Sequence, residues 1–146
     1  MATDSIVTNL KKYSENISKM QWKGTVEDYI ELISKKPSIH MNAHERVLKM
    51  ILSHGTETVD GVTVYNFFKN ELFGVDEPIN EFMSYLRAAA TGSEVSRRIL
   101  LMYGPTSSGK SQLAVLLKRG LEAFSKTEDG AFYVLTDSPM YEDPLC

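Results

Sequence analysis

Gly104-Pro105-Thr106-Ser107-Ser108-Gly109-Lys110-Ser111 is the stretch on which the reading of this chain turns. It matches G-x-x-x-x-G-K-[ST], a phosphate-binding pattern in which each residue type has a physical reason. Gly104 and Gly109 permit backbone angles that a side chain obstructs, so successive N–H groups can curve around an anion. A helix beginning near Gly109 points unpaired N–H groups and the positive end of its dipole at the phosphates. Lys110 supplies an ammonium for the β and γ phosphates, and the Ser111 hydroxyl is a ligand for Mg²⁺, which prefers oxygen. With Gln112 in the first helical turn, the expected ATP-contacting set is Gly104, Pro105, Thr106, Ser107, Ser108, Gly109, Lys110, Ser111 and Gln112. The expected cofactors are ATP and Mg²⁺, with Ser111 on the metal.

The flanks suit that mechanism. Ile99-Leu100-Leu101-Met102-Tyr103 is a continuous apolar run before a glycine-bounded turn and reads as a buried parallel strand. Leu113, Leu116, Leu117 and Leu121 mark the helix that follows, and Ala131-Phe132-Tyr133-Val134-Leu135 reads as a second strand. The expected fold class is therefore α/β. A P-loop nucleoside-triphosphatase core of strand, phosphate loop, helix and strand begins at residues 97–146. A helical region at 1–96 precedes it.

Upstream, Ile6, Leu10, Tyr13, Ile17 and Met20 recur at helical spacing, with Asp4 or Ser5 as cap. Thr25 and Asp28 form a capping-box start for a helix with Val26, Tyr29, Ile30 and Ile33 on one face, and Pro37 closes that segment. Asn42 with Glu45 starts another helix, with Val47, Leu48 and Ile51 as its apolar stripe and Gly55 just past its end. Asp60-Gly61 between Val-rich flanks signals a hairpin. Phe67, Phe68, Leu72 and Phe73 add a large apolar load before a break at Gly74. Pro78 suits a first helical turn, and Ile79, Phe82, Met83 and Leu86 share a face after it.

Composition excludes several classes. In 146 residues, 42% are apolar and 24% charged, an ordinary globular balance that argues against disorder. Sixteen Lys and Arg against 19 Asp and Glu give a net charge of −3, which points away from nucleic acid as a partner. No apolar run approaches the roughly 18 residues of a membrane span. The N-terminus has no basic-then-apolar signal region. One cysteine, Cys146, cannot form an internal disulfide, and a cytoplasmic compartment is expected.

Trp22-Lys23-Gly24-Thr25 with Asp28-Tyr29, Ala43-His44-Glu45-Arg46, Leu72-Phe73-Gly74, the phosphate loop, Leu117-Lys118-Arg119-Gly120-Leu121-Glu122 and Ser138-Pro139-Met140-Tyr141-Glu142-Asp143-Pro144-Leu145 follow in order. From about Trp22 onward this resembles the N-terminal AAA-type domain of the bacterial PrkA family, called serine protein kinases. The resemblance implies a longer protein, with Walker B, sensors, arginine finger and a kinase-like region all beyond the residues at hand. It implies an ATP-dependent protein serine kinase or ATPase, leaves room for a protein substrate and for a homo-oligomer through the AAA-type domain, and makes the present chain an incomplete core. With the strands that separate its two strands missing, the chain is expected to be marginally stable. No H-R-D, D-F-G or V-A-I-K set is present, so phosphorylation rests on the family name and ATP binding on the residues. By analogy with AAA-type ATPases, Phe73-Gly74-Val75 lines an adenine pocket; the alternative is a helix-entry turn with a packed Phe73.

Two function classes stand side by side: an ATP-binding domain of a regulatory enzyme, and a non-catalytic remnant or interaction module that holds nucleotide without turnover. A guanine nucleotide is disfavoured, because no Asn-Lys-x-Asp follows. Asp137, after the second strand, is weighed as a metal-positioning acid, with a solvated or capping role preferred. His40 and His44 stand four apart beside Glu45, but a helix start between them separates their faces, so a zinc site is not expected.

Overall fold

The computed structural model of the chain describes Ser14, residues 22–106 and residues 108–145. The expected helix carrying Ile6, Leu10, Tyr13, Ile17 and Met20, its cap at Asp4 or Ser5, and also Ser107 and Cys146, lie outside the described residues. The described chain is mixed helix and strand, and it falls into two compact units: residues 22–39 with 131–145, and His40–Gly130.

In the first unit, helix α1 (Val26–Lys35) starts where two side chains satisfy each other's backbone. The Asp28 N–H donates to Thr25 Oγ1 at 3.3 Å, and the Thr25 N–H donates to Asp28 Oδ2 at 2.8 Å, which is the capping box expected from the sequence. The Thr25 backbone N–H, and after it the Thr25 hydroxyl, holds the Asp28 carboxyl below its usual range. A single 3₁₀ turn, Pro37–Ile39, follows. Tyr29 is buried, its ring 5.4 Å from Tyr133, and Tyr133 meets Trp22 edge-on at 5.4 Å. Val26 and Ile30, expected on the same buried face, stay about half exposed.

The second unit opens with helix α2 (Ala43–Ser53). Asn42 Oδ1 accepts from the Glu45 N–H at 2.8 Å, Glu45 Oε2 accepts from the Asn42 N–H at 2.8 Å, and Asn42 Nδ2 donates to Ala90 O at 3.1 Å. Gly55 lies just past the helix with φ +83°. Strands β1 (Thr56–Val59) and β2 (Val62–Tyr65) pair antiparallel, with Val59 opposite Val62. Asp60 at φ 51° and Gly61 at φ 81° make the two-residue turn, both positive as a type I′ hairpin requires. A one-turn helix α3 (Asn66–Lys69), helix α4 (Asp76–Ala90), a 3₁₀ turn (Glu94–Arg97) and helix α5 (Lys110–Phe124) complete the unit. Its core is Met50 and Ile51 of α2, Tyr65 and Phe68, Ile79, Met83 and Leu86 of α4, and Leu113, Leu116 and Phe124 of α5. Thus α5 shares one core with α2 to α4. No helix among the described residues is long and apolar enough to cross a membrane.

The two parallel strands read from the sequence are not formed. Residues 99–103 and 131–135 carry no strand pairing, and the two-stranded hairpin is the sheet of the described residues. The reason is physical: a strand exists only against a partner that takes its backbone hydrogen bonds. Ile99 at 94%, Leu101 at 83% and Tyr103 at 98% exposure have nothing packed on them, so the expected burial fails with the pairing.

Candidate phosphate-binding site

The loop at residues 104–111 leads directly into α5, whose first residue is Lys110. Leu113 and Leu116 are buried and anchor that helix, which leaves Ser111 and Gln112 exposed at its start. Gly109 stands at the cap position with φ +82°, a left-handed angle that costs a non-glycine residue roughly 1–2 kcal/mol. No side chain caps this helix, so the donors of its first turn are available to an external acceptor. The Leu113 N–H donates to Gly109 O at 2.8 Å and closes the first helical turn.

Gly104 has a different role from the one read in the sequence. Its φ is not positive; space is what matters there. A Cβ at Gly104 would sit 3.2 Å from Ser108 Oγ and 3.8 Å from Lys110 Nζ, so glycine leaves room for two side chains to meet over it. The Lys110 ammonium turns back into the loop. It donates to Gly104 O at 2.8 Å, to Pro105 O at 2.6 Å and to Ser108 Oγ at 2.8 Å. Pro105, Thr106 and Ser108 are exposed along the loop.

Beside the loop opens a cavity of about 440 Å³, within the size range of small-ligand sites. Lys110, Gly109 and Gly104 line one end; Leu72, Val75, Ile79, Phe82 and Met102 provide an apolar wall. Of the expected Phe73-Gly74-Val75 segment, Val75 lines the cavity, whereas Phe73 does not and is 78% exposed. The alternative of a packed Phe73 is not observed either. Leu72, Ile79 and Phe82 read in the sequence as core alone. Their second face becomes apparent only when α4 is set beside the loop. Leu72 also meets Gly109 directly: a Cβ there would lie 3.2 Å from Leu72 Cδ2.

Gln112 does not aim along the loop; its amide donates to the Glu71 carboxylate, tying α5 to the segment before α4. No sequence signal marked Glu71. Asp137 is an exposed turn residue with φ 68°, in keeping with the solvated role. His44 is in α2 and packs edge-on to Tyr85 at 6.1 Å between ring centres, while His40 precedes the helix. Arg46 donates to Gly130 O at 2.6 Å. No group of three metal-ligating side chains occurs among the described residues.

The family model described as the PrkA AAA domain matches residues 24–146, and the chain belongs to that family. Among curated relatives, the ATP-dependent protease PrkA of Bacillus subtilis (strain 168) is 43% identical over 141 residues, covering 96% of this chain and 22% of the relative. An uncharacterized protein in the gldA 5′ region of Geobacillus stearothermophilus is 36% identical over 95 residues, 64% of this chain and 98% of the relative. The serine/threonine kinase YeaG of Escherichia coli (strain K12) is 28% identical over 137 residues, 84% of this chain and 20% of the relative. The chain thus spans about a fifth of the length of the Bacillus and Escherichia relatives. No solved structure matches it.

Proposed function

We propose that this chain is the ATP-binding part of an AAA-type P-loop domain, holding Mg-ATP through residues 104–111. The observation that carries the reading is the seat of Lys110: its ammonium lies inside the turn, over a glycine that leaves it room. In this reading the loop N–H groups and the open start of α5 bind the polyphosphate. Lys110 takes the outer phosphates, and Leu72, Val75, Ile79 and Phe82 exclude water around the base. The Ser111 hydroxyl would hold Mg²⁺, which would supply positive charge against the phosphates. In this reading residues 104–111 do the binding, and Gln112, whose amide donates to Glu71, ties the helix to the segment before α4.

The long relatives differ in name, one a protease and one a kinase, but ATP dependence suits both. We assign to this region the nucleotide-binding step of a PrkA-type ATP-dependent enzyme in the cytoplasm, with protein substrate and homo-oligomerisation residing in the whole protein. Titration with Mg-ATP tests it. Lys110→Ala removes a charge-assisted hydrogen bond of about 1.5–3 kcal/mol, so affinity should fall by roughly 10- to 150-fold. Equal affinity of the variant and the parent overturns the proposal. A hydrolysis assay on the same samples separates binding from turnover.

A further inference from the structure

The Lys110 ammonium has three N–H donors and no acceptor. Three oxygens of its own loop stand within 2.8 Å of it: Gly104 O, Pro105 O and Ser108 Oγ. Every donor is thereby matched to the loop itself. A phosphate oxygen can engage Lys110 only by displacing one of them. The three are not equivalent. Two are backbone carbonyls, and releasing either means moving the chain or the lysine. The third is a side-chain hydroxyl on an exposed residue, free to rotate about χ1. A hydroxyl is also both acceptor and donor. Once it has released the lysine, its own O–H can point at the same phosphate that replaced it.

We propose that Ser108 is the exchangeable partner of Lys110: its hydroxyl holds the ammonium in the loop and yields that place to a polyphosphate. Ser108 is thus a positioning residue for the site under Proposed function, and the inference rests on that reading. The two backbone carbonyls keep the lysine aimed while the third bond changes hands, so the charge is delivered without a search through rotamers. Gly104 belongs to the same device, because a Cβ there would crowd Ser108 Oγ at 3.2 Å.

The test measures acylation of Lys110 by a small water-soluble acetylating reagent, read by mass spectrometry of the Lys110 peptide in the full chain. Without nucleotide, Ser108→Ala should raise the Lys110 rate about threefold or more, since a hydrogen bond to a charged group has been lost. Ser108→Thr, which keeps the hydroxyl, should restore the parent rate. With saturating Mg-ATP, parent and Ser108→Ala should be protected to the same level, because the hydroxyl no longer holds the lysine. An unchanged rate in Ser108→Ala, or a Ser108→Thr rate matching that of Ser108→Ala, overturns the proposal. Failure of ATP to protect Lys110 in the parent overturns the nucleotide reading instead, and is seen in a separate arm.

Discussion

Gly120 sits in the middle of α5, where glycine ordinarily weakens a helix. Replacing it by alanine in a solvent-facing helix gains about 1 kcal/mol. Here the sign should reverse. A Cβ at Gly120 would lie 2.7 Å from Phe67 Cε2 and Cζ and 2.8 Å from Met50 Sδ, whereas comfortable contact between carbons is roughly 3.5–4.0 Å. Met50 is fully buried and cannot retreat. Phe67 is held edge-on by Phe68 at 4.9 Å and by His54 at 5.0 Å, and each such ring pair contributes about 0.5–1.5 kcal/mol. Overpacking of this kind costs about 1–3 kcal/mol, and part of the ring energy is lost as Phe67 moves. Against the helix gain of about 1 kcal/mol, Gly120→Ala should destabilise by about 1–2 kcal/mol. Urea unfolding followed by circular dichroism should show the midpoint falling with an unchanged slope. Adding Phe67→Leu should relieve the crowding, so the double variant should be less destabilised than the sum of the singles. A Gly120→Ala protein as stable as its parent, or more stable, refutes the close approach of α5 to α2 and Phe67.

Three further outcomes are expected. Asn42→Ala removes the cap of α2 and its bond to Ala90; a loss of about 1–2 kcal/mol in denaturant unfolding is expected, and Asn42→Asp should recover the cap without the Ala90 bond. Gly109→Ala forces a side chain to φ +82° and against Leu72; stability should fall by about 1–2 kcal/mol, with Mg-ATP affinity falling beside it in calorimetric titration. Asp28 has a lowered pKa in the folded chain, so its contribution is present above its ordinary value of 3.8 and is lost as pH falls through the lowered one. Unfolding measured between neutral and acid pH should therefore show a dependence that Asp28→Asn removes, and an identical profile in the variant would contradict the capping box.

Much of the helical scaffold was legible because its determinants are local. Thr25 with Asp28, Asn42 with Glu45, Gly55 and the Asp60-Gly61 turn each act through hydrogen bonds or backbone angles spanning about four residues, so spacing alone identifies them. The apolar faces of α4 and α5 followed from helical period in the same way. The phosphate loop was visible for a related reason: glycine, lysine and serine at fixed offsets are a local chemical device.

Other features depended on residues far apart in the chain. The runs at 99–103 and 131–135 have strand composition, yet a strand is a relation between two segments, and neither run is paired into a sheet among the described residues. Leu72, Ile79 and Phe82 read as core because periodicity shows only that a face is apolar, not what it faces. Folding turned part of that face toward the cavity beside Lys110. Gly104 was expected to matter for its backbone angle and instead matters for the space beside Ser108 and Lys110. Gln112 was expected at the nucleotide, and its bond to Glu71 depends on α5 lying beside the segment before α4. Sequence alone therefore determined the caps, the turn and the loop's chemical inventory, since these need only near neighbours. Tertiary structure decided which apolar surface became wall and which side chain Gln112 meets, since those are distances between parts that only folding brings together.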